Sequence, residues 1–335
     1  MRKQLSTIIA LLIVASLTLA ACGGGSDAGA DFLACQVTDT GGIDDASFNQ
    51  TAWAGVEQAE ADLGVEGAFL ESQEQADYET NIQAFIDQGC DLIITVGFLL
   101  GDATAAAAEA NPEQEFGIID FAYDPAFENV AGHVFATDQA AFLAGYIAAA
   151  NTQTGVVGTF GGINIPPVTV FMDGFYYGVQ YYNQENGTDV QVLGWDPMAQ
   201  DGLFTGNFDS LDDGRAFAES LMDEGADIIM PVAGPVGLGS AAAIQERGNA
   251  WLIGVDNDWT QTAPEYADIV LTSVLKNMDS TVYSHIETLI NGEDPGSLIV
   301  GTLENGGVGI AGDFGDLDIQ SLIDGIVAGD IQTAP

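Results

Sequence analysis

The sequence predicts an α/β fold of two doubly wound parallel-sheet lobes joined by a hinge. Strand-like apolar runs alternate with helix-like stretches almost without interruption, as in parallel sheets that carry helices on both faces. A Gly-x-Asp motif between a helix and an apolar strand also occurs twice, at residues 88–94 and 224–229. This internal echo indicates two similar lobes, and a ligand site is expected between them, where the carboxyl-end loops of both sheets converge.

The first strand-to-helix connection, residues 39–50, is the most informative stretch. It follows an apolar run at 32–37 and precedes apolar residues spaced three to four apart, which predict a helix near 48–63. Two glycines in the loop allow backbone angles that other residues disfavour. Ser47 or Asp45 is expected to cap the helix.

Phe48 lies in this connection between two polar residues. One interpretation is a hydrophobic staple that packs on the helix itself. The other is a flat ligand stacked on the ring, with Asp39 and Asn49 reaching its polar edge. The position of the loop at the carboxyl end of a strand favours the second interpretation.

The remaining elements follow in two series. In the first, strands are predicted at 68–71, 91–96, 116–120 and 130–136, and helices at 78–86 and 103–110. In the second, strands are predicted at 155–160, 190–195, 227–232 and 251–256, and helices around 146 and at 168–183 and 214–224. A strand at 269–274, a helix at 281–289 and a β-rich return at 298–310 complete the chain. We predict that 31–137 plus 258–296 form the first lobe and 138–257 plus 297–335 the second.

The N-terminus has the features of a secretory signal. Arg2 and Lys3 precede an apolar segment from about 8 to 20 that is too short to span a bilayer. The sequence Leu-Ala-Ala-Cys that ends at Cys22 is similar to a bacterial lipobox. This similarity implies a signal peptide at 1–21, lipidation of Cys22 and a flexible tether at 22–30 on the outer face of a membrane.

Composition restricts the possible partners. The chain has 50 acidic residues against 5 Lys and Arg, and a formal net charge of −45. Nucleic acid is therefore not an expected partner, because a basic surface is missing. Beyond the signal only Arg215, Arg247 and Lys276 are cationic, which makes Lys276, the one lysine there, a candidate for a specific ionic or hydrogen-bonding role.

Cysteine and histidine are scarce. Cys35 and Cys90 are expected to be buried free thiols, with a disulfide as the alternative outside the cytosol. His133 and His285, the only two histidines, are far apart in sequence and offer little material for a zinc site or a Ser-His-Asp triad. We expect no cofactor and no metal.

Six segments resemble a known family. They are DTGGIDDASFNQTAWAG (39–55), IITVGF (93–98), IDFAYD (119–124), FDSLDDGR (208–215), IGVDND (253–258) and LTSVLKNMD (271–279). On these residues the chain resembles the basic membrane protein family of bacterial lipoproteins, which includes purine nucleoside receptors that feed ATP-binding-cassette (ABC) importers. The resemblance implies a type I periplasmic-binding-protein-like fold and an importer permease as partner.

The resemblance also implies a set of ligand contacts. The implied aromatic faces and polar groups are Phe48, Phe208, Asp39, Asn49 and Asp120, with Asp256 and Lys276 as the pair that holds the ribose hydroxyls and Gly234 as a point of backbone approach. Phe204 remains an alternative to Phe208 as the second stacking ring. The residues support two of these roles independently, because Asp120 and Asp256 both end strand-like runs, where a carboxylate can accept hydrogen bonds from hydroxyl or N–H groups.

The sequence is compatible with three functions. The first is a membrane-anchored receptor for a nucleoside, with a purine favoured. The second keeps the receptor but changes the ligand to a sugar or a signalling molecule. The third is a hydrolase with an acid pair, which we do not favour because 50 acids make such pairs easy to find.

Overall fold

A computed structural model describes residues 32–334 and confirms two α/β lobes. The predicted signal peptide, lipidated Cys22 and tether lie outside the described residues. The first lobe contains strands β1 (Leu33–Val37), β2 (Glu66–Leu70), β3 (Leu92–Val96), β4 (Glu115–Ile119), β5 (Val130–Phe135) and β13 (Leu298–Gly301), and helices α1 (Phe48–Leu63), α2 (Tyr78–Gln88), α3 (Gly101–Ala110) and α9 (Met278–Ile290). Its sheet is parallel throughout and has the order β13-β5-β4-β3-β1-β2.

The second lobe repeats this plan. It contains strands β6 (Val156–Gly161), β7 (Gln191–Leu193), β10 (Ile228–Val232), β11 (Trp251–Asp256), β12 (Val270–Lys276) and β14 (Val308–Ala311), the hairpin strands β8 (Trp195–Asp196) and β9 (Asp201–Gly202), and helices α4 (Thr137–Asn151), α5 (Pro166–Asn186), α6 (Leu211–Asp223), α7 (Val236–Arg247), α8 (Trp259–Thr262) and α10 (Ile319–Val327). Short 3-10 helices occur at Gln75–Asp77, Phe98–Leu100 and Pro264–Ile269. The sheet order is β14-β12-β11-β10-β6-β7, and only β14 runs antiparallel to its neighbour.

Each sheet is packed between two layers of helices. In the first lobe, alternate residues of β1 point to opposite faces, so that Ala34 meets α1 and α9 whereas Cys35 meets α2 and α3. In the second lobe, α4 and α5 cover one face and α6 and α7 the other. The central strands β3 and β10 are buried throughout, which explains why their sequences are continuous apolar runs, whereas the edge strands β2, β7 and β13 are partly exposed.

The boundaries of the lobes differ from the predicted ones at two places. β12 pairs with β11 and belongs to the second sheet, although residues 258–296 were assigned to the first lobe. β13 pairs with β5 in the first sheet, although residues 297–335 were assigned to the second. The periodicity of a segment indicates its type but not the sheet that it joins. The chain therefore crosses between the lobes three times, after β5, after β12 and after β13.

The two cysteines form a disulfide, so the favoured prediction of free thiols is wrong. Cys35 on β1 is bonded to Cys90, which lies just before the neighbouring strand β3, and their Cα atoms are 6.1 Å apart. Both residues are buried. Sequence alone did not show that β1 and β3 are adjacent, which is the condition that brings the two sulfurs within bonding distance.

The two histidines also meet, inside the first lobe. His133 Nε2 lies 3.0 Å from His285 Nδ1, and His133 Nδ1 lies 3.0 Å from Thr281 Oγ1. Thr281 donates its hydroxyl hydrogen to the carbonyl of Met278, so it accepts from His133 and the direction of the chain is fixed. His285 Nε2 is then a buried acceptor without a hydrogen-bond donor among the described residues. Both rings are held neutral by burial, which lowers their pKa values.

Within residues 32–334, no helix combines the length and the apolar character that a membrane span requires.

Candidate functional site

A cleft lies between the two lobes at the carboxyl ends of their strands. It encloses about 630 Å³ of empty space, part of which is open to solvent. Seven of the eight residues predicted to contact a ligand line it, and they are Asp39, Phe48, Asp120, Phe208, Gly234, Asp256 and Lys276. The eighth, Asn49, is buried behind it.

Asp120 and Asp256 occupy matching places in the two lobes. Asp120 follows β4 directly, and Asp256 is the last residue of β11. Both adopt a left-handed backbone conformation, with φ of 69° and 67°. Aspartate tolerates this region better than most residues, and such strained positions are concentrated at functional sites. The strand-end position that the sequence predicted for each is therefore confirmed.

Asn49 organises the loop instead of facing the cleft. Its side-chain Nδ2 donates to Asp39 Oδ1 at 2.7 Å and to Asp45 Oδ2 at 3.2 Å, and its Oδ1 accepts from the backbone N–H of Asp39 at 3.3 Å. These bonds use the amide internally. The expectation that Asn49 reaches a ligand stays a prediction, and in the structure its bonds hold Asp39 at the cleft.

Lys276 forms an ion pair with Asp120. Its Nζ lies 2.5 Å from Asp120 Oδ2, and both side chains are almost completely buried. Asp256 instead accepts a hydrogen bond from Ser47 Oγ at 2.9 Å. Asp120 comes from the opposite lobe, and the expectation that Asp256 and Lys276 together hold ribose hydroxyls stays a prediction, with both residues lining the cleft.

Burial dominates the electrostatics of the acids. It raises the pKa values of Asp39, Asp120 and Asp256, and the charge of Lys276 partly opposes the rise for Asp120 and Asp256. Burial raises the pKa of Asp45 to about 7, although three backbone N–H groups that donate to this carboxylate favour its charged form. Four carboxyl groups thus share one ammonium group in the cleft, so the cleft suits a ligand that donates hydrogen bonds and carries no negative charge.

Aromatic rings come from both lobes. Phe48 begins α1 in the first lobe, and Phe208 lies before α6 in the second, and both line the cleft. Phe208 packs directly over Gly162, where an added Cβ would come within 2.3 Å of the ring, so this glycine makes room for it. The alternative ring, Phe204, packs edge-on against Trp195 and does not line the cleft.

Several lining residues were not predicted. Phe171 on α5 lies under Lys276, with 5.8 Å from Nζ to the ring centroid, and the lysine also lies 4.9 Å from the ring of Phe48. Phe98 and Leu99 extend the apolar wall after β3. The position of Phe98 and Leu99 just after a strand could have indicated from the sequence that they line the cleft. Phe171 had none, since it lies inside a helix whose apolar spacing is equally that of a core residue.

Comparison with known proteins identifies the family. A sequence profile of the family described as "ABC transporter substrate-binding protein PnrA-like" matches residues 32–322. The chain belongs to the PnrA-like family of ABC transporter substrate-binding proteins. The resemblance stated from the sequence is thereby confirmed.

This PnrA-like chain is also similar to individual proteins and to a solved structure. It is 30% identical over 347 residues to the ABC transporter nucleoside-binding protein BmpA of Lactococcus lactis, which covers 96% of this chain and 95% of the relative. It is 31% identical over 312 residues to basic membrane protein A of Borreliella burgdorferi, covering 91% and 87%. A crystal structure of an ABC transporter solute-binding protein from Aeropyrum pernix superposes with a TM-score of 0.76 at 30% identity, covering 89% and 85%.

The cleft of this PnrA-like chain has the chemistry of a binding site. Gly234 adopts φ of 54°, and no atom lies within 4 Å of the place where its Cβ would be, so a ligand can approach the backbone there. Within residues 32–334, no three His, Cys, Asp or Glu side chains are grouped to hold a metal ion. The expectation that the site works without metal or cofactor remains a prediction.

Proposed function

We propose that this protein is a membrane-anchored, extracytoplasmic receptor that binds a nucleoside between its lobes and delivers it to an ABC importer. It acts as a binding protein and catalyses no reaction. Family membership supports binding and transport in general. The name of the Lactococcus relative supports a nucleoside as the ligand. The lipobox-like sequence at Cys22 supports the anchor.

One observation carries the choice of ligand. Asp39, Asp120 and Asp256 each use one carboxylate oxygen in a bond with another protein side chain. The second oxygen of each makes no such bond within residues 32–334 and is left to accept from a ligand. Ionised carboxylates only accept hydrogen bonds, so the ligand must present several donors, such as ribose hydroxyls and base N–H groups.

The rings favour a flat ligand. Phe48 and Phe208 face one cleft from opposite lobes. Stacking of a base on an aromatic ring contributes roughly 1–3 kcal/mol. Two rings would therefore supply a large part of the roughly 8 kcal/mol that micromolar affinity requires. We assign the preference for a purine to Phe48 and Phe208, since a purine offers a larger stacking face than a pyrimidine. We assign the discrimination between ligands with different hydrogen-bond donors to the three aspartates.

A ligand screen tests the function. Thermal unfolding is followed with inosine, guanosine, adenosine, cytidine, uridine and free ribose. A nucleoside at a free concentration of about 100 times its Kd should stabilise the protein by about 2.7 kcal/mol. A response to ribose but to no nucleoside would identify a sugar receptor. The absence of any nucleoside response refutes the proposed ligand, and release of free base from inosine would show an enzyme.

The anchor is tested separately. The full-length chain is expressed with its own N-terminus in a bacterial host and labelled with a radioactive fatty acid. The wild-type protein should carry the label and sediment with membranes, and Cys22→Ala should lose both properties. Labelling that persists in Cys22→Ala would contradict the assignment of this thiol.

A further inference from the structure

The two aspartates at the strand ends, Asp120 and Asp256, are both bonded to side chains of the opposite lobe. Asp120 belongs to the first lobe and is bonded by Lys276 of the second, at 2.5 Å. Asp256 belongs to the second lobe and is bonded by Ser47 of the first, at 2.9 Å. Each acid is therefore held by a side chain that reaches across from the opposite lobe.

The hydroxyl of Ser47 is available for this bond because Asp45, and not Ser47, caps helix α1. It lies at the N-cap position of α1, but its hydroxyl makes no capping bond. Asp45 accepts instead from the backbone N–H groups of Asn49 at 2.8 Å and Gln50 at 3.1 Å, which are the groups that an N-cap side chain normally satisfies. The hydroxyl of Ser47, which is 1% exposed, is left to donate to Asp256.

A second bond between the lobes lies one turn further along α1. Asn257, the residue after Asp256, donates from Nδ2 to Thr51 Oγ1 at 2.5 Å. Thr51 in turn donates to the backbone carbonyl of Ser47. The first turn of α1 thus contacts two consecutive residues at the end of β11, and the two contacts are linked to each other.

We propose that Ser47 is a positioning residue for Asp256 and that, together with the Thr51–Asn257 bond, it forms a latch between the lobes. The bond from Ser47 fixes one carboxylate oxygen of Asp256 and leaves the other oxygen to accept from a ligand in the cleft. The acid is then aligned for a ligand only when the lobes are closed, and the latch slows ligand release. The effect on ligand binding rests on the proposed function, whereas the latch itself does not.

The first experiment measures binding of inosine by stopped flow and calorimetry. Ser47→Ala should raise Kd roughly tenfold, mainly through faster dissociation, which is the loss expected for a hydrogen bond to a charged group. Because Asp45 performs the capping, α1 should stay helical in the ligand-free variant. Ser240→Ala is the matched control, since it removes a buried hydroxyl that donates to Gly214 away from the cleft, and its dissociation rate should equal that of the wild type.

A double-mutant cycle distinguishes positioning from packing. In an Asp256→Asn background, Ser47→Ala should have little further effect on the dissociation rate, because the group that it positions is already altered. Additive losses would overturn the positioning role. An unchanged dissociation rate in Ser47→Ala would overturn the proposal directly.

A second measurement needs no ligand. Hydrogen exchange of the ligand-free protein should show faster exchange in residues 45–51 and 254–258 in both Ser47→Ala and Thr51→Val than in the wild type. Unchanged exchange in both variants would refute the latch. If inosine does not bind the wild type while the exchange rates do respond, the proposed ligand fails and the latch stands.

Discussion

The ion pair between Lys276 and Asp120 makes a prediction that separates its electrostatic role from simple packing. In Lys276→Met the aliphatic part of the side chain is approximately retained and the ammonium group is removed. Asp120 is then a buried carboxylate without its cation, and Asp256 loses a charge that favours its ionised form. Breaking a buried pair on one side costs about 3–5 kcal/mol, so we expect that loss of unfolding free energy at pH 8.

The loss should depend on pH with a definite sign. Burial already raises the pKa of Asp120, and removal of Lys276 takes away the group that opposes this rise. The folded variant then binds a proton more tightly than the unfolded chain, in which the pKa is about 3.9. Its stability is greatest at low pH and falls as pH rises toward the raised pKa, so the difference from wild type should be smaller at pH 5 than at pH 8.

Urea denaturation of the wild type and the variant at both pH values checks this. The double variant Asp120→Asn, Lys276→Met should recover much of the loss at pH 8, because no unpaired charge remains. Arg215→Met is the control: it removes a partly exposed pair with Glu246, and we expect less than about 1 kcal/mol at either pH. An equal loss for Lys276→Met at pH 5 and pH 8 would refute the electrostatic reasoning.

Three further predictions concern the ring, the histidines and the disulfide. Phe48→Ala should weaken inosine binding by roughly 1–3 kcal/mol, measured by calorimetry, whereas Phe204→Ala should not; equal effects would remove the stacking role. Burial lowers the pKa of His285 to about 4, so as pH falls the unfolded wild type takes up a proton before the folded wild type does and the wild type loses stability. Because glutamine does not titrate, the unfolding free energy of His285→Gln relative to that of the wild type should rise by up to about 3 kcal/mol between pH 7 and pH 4. A difference that stays constant with pH would contradict this. Replacing Cys35 and Cys90 by Ala should lower the unfolding free energy by roughly 2–4 kcal/mol, since the disulfide spans 55 residues, without changing the affinity for inosine; a similar loss of affinity would show that the disulfide also shapes the cleft.

The sequence was sufficient for features that depend on local patterns. The helix predicted at 48–63 has these bounds in the structure. Asp120 and Asp256 were placed at strand ends because apolar runs stop there, and parallel sheets bring such ends to one edge. Gly89 and Gly225 each follow a helix, and both have a positive φ. The repeated Gly-x-Asp motif that predicted two lobes therefore marks the same kind of helix end in both.

Features that depend on distant pairing were not accessible in the same way. Lys276 and Asp120 are 156 residues apart, and their contact requires knowing that β12 ends opposite β4. The disulfide likewise required the adjacency of β1 and β3. The bond from Asn49 to Asp39 could not be predicted for a different reason: the sequence of the loop is the same whether this amide faces the cleft or bonds to Asp39.

The crossing of the chain between the lobes also determines when each lobe can be completed. Five strands of the first sheet are made before residue 136, but its edge strand β13 and the covering helix α9 come from residues 278–301. Until those residues emerge from the ribosome, the apolar surface of α1 that Val282 and Ile286 later cover stays exposed. Because β13 and α9 are translated last, we expect the first lobe to become compact only late in synthesis.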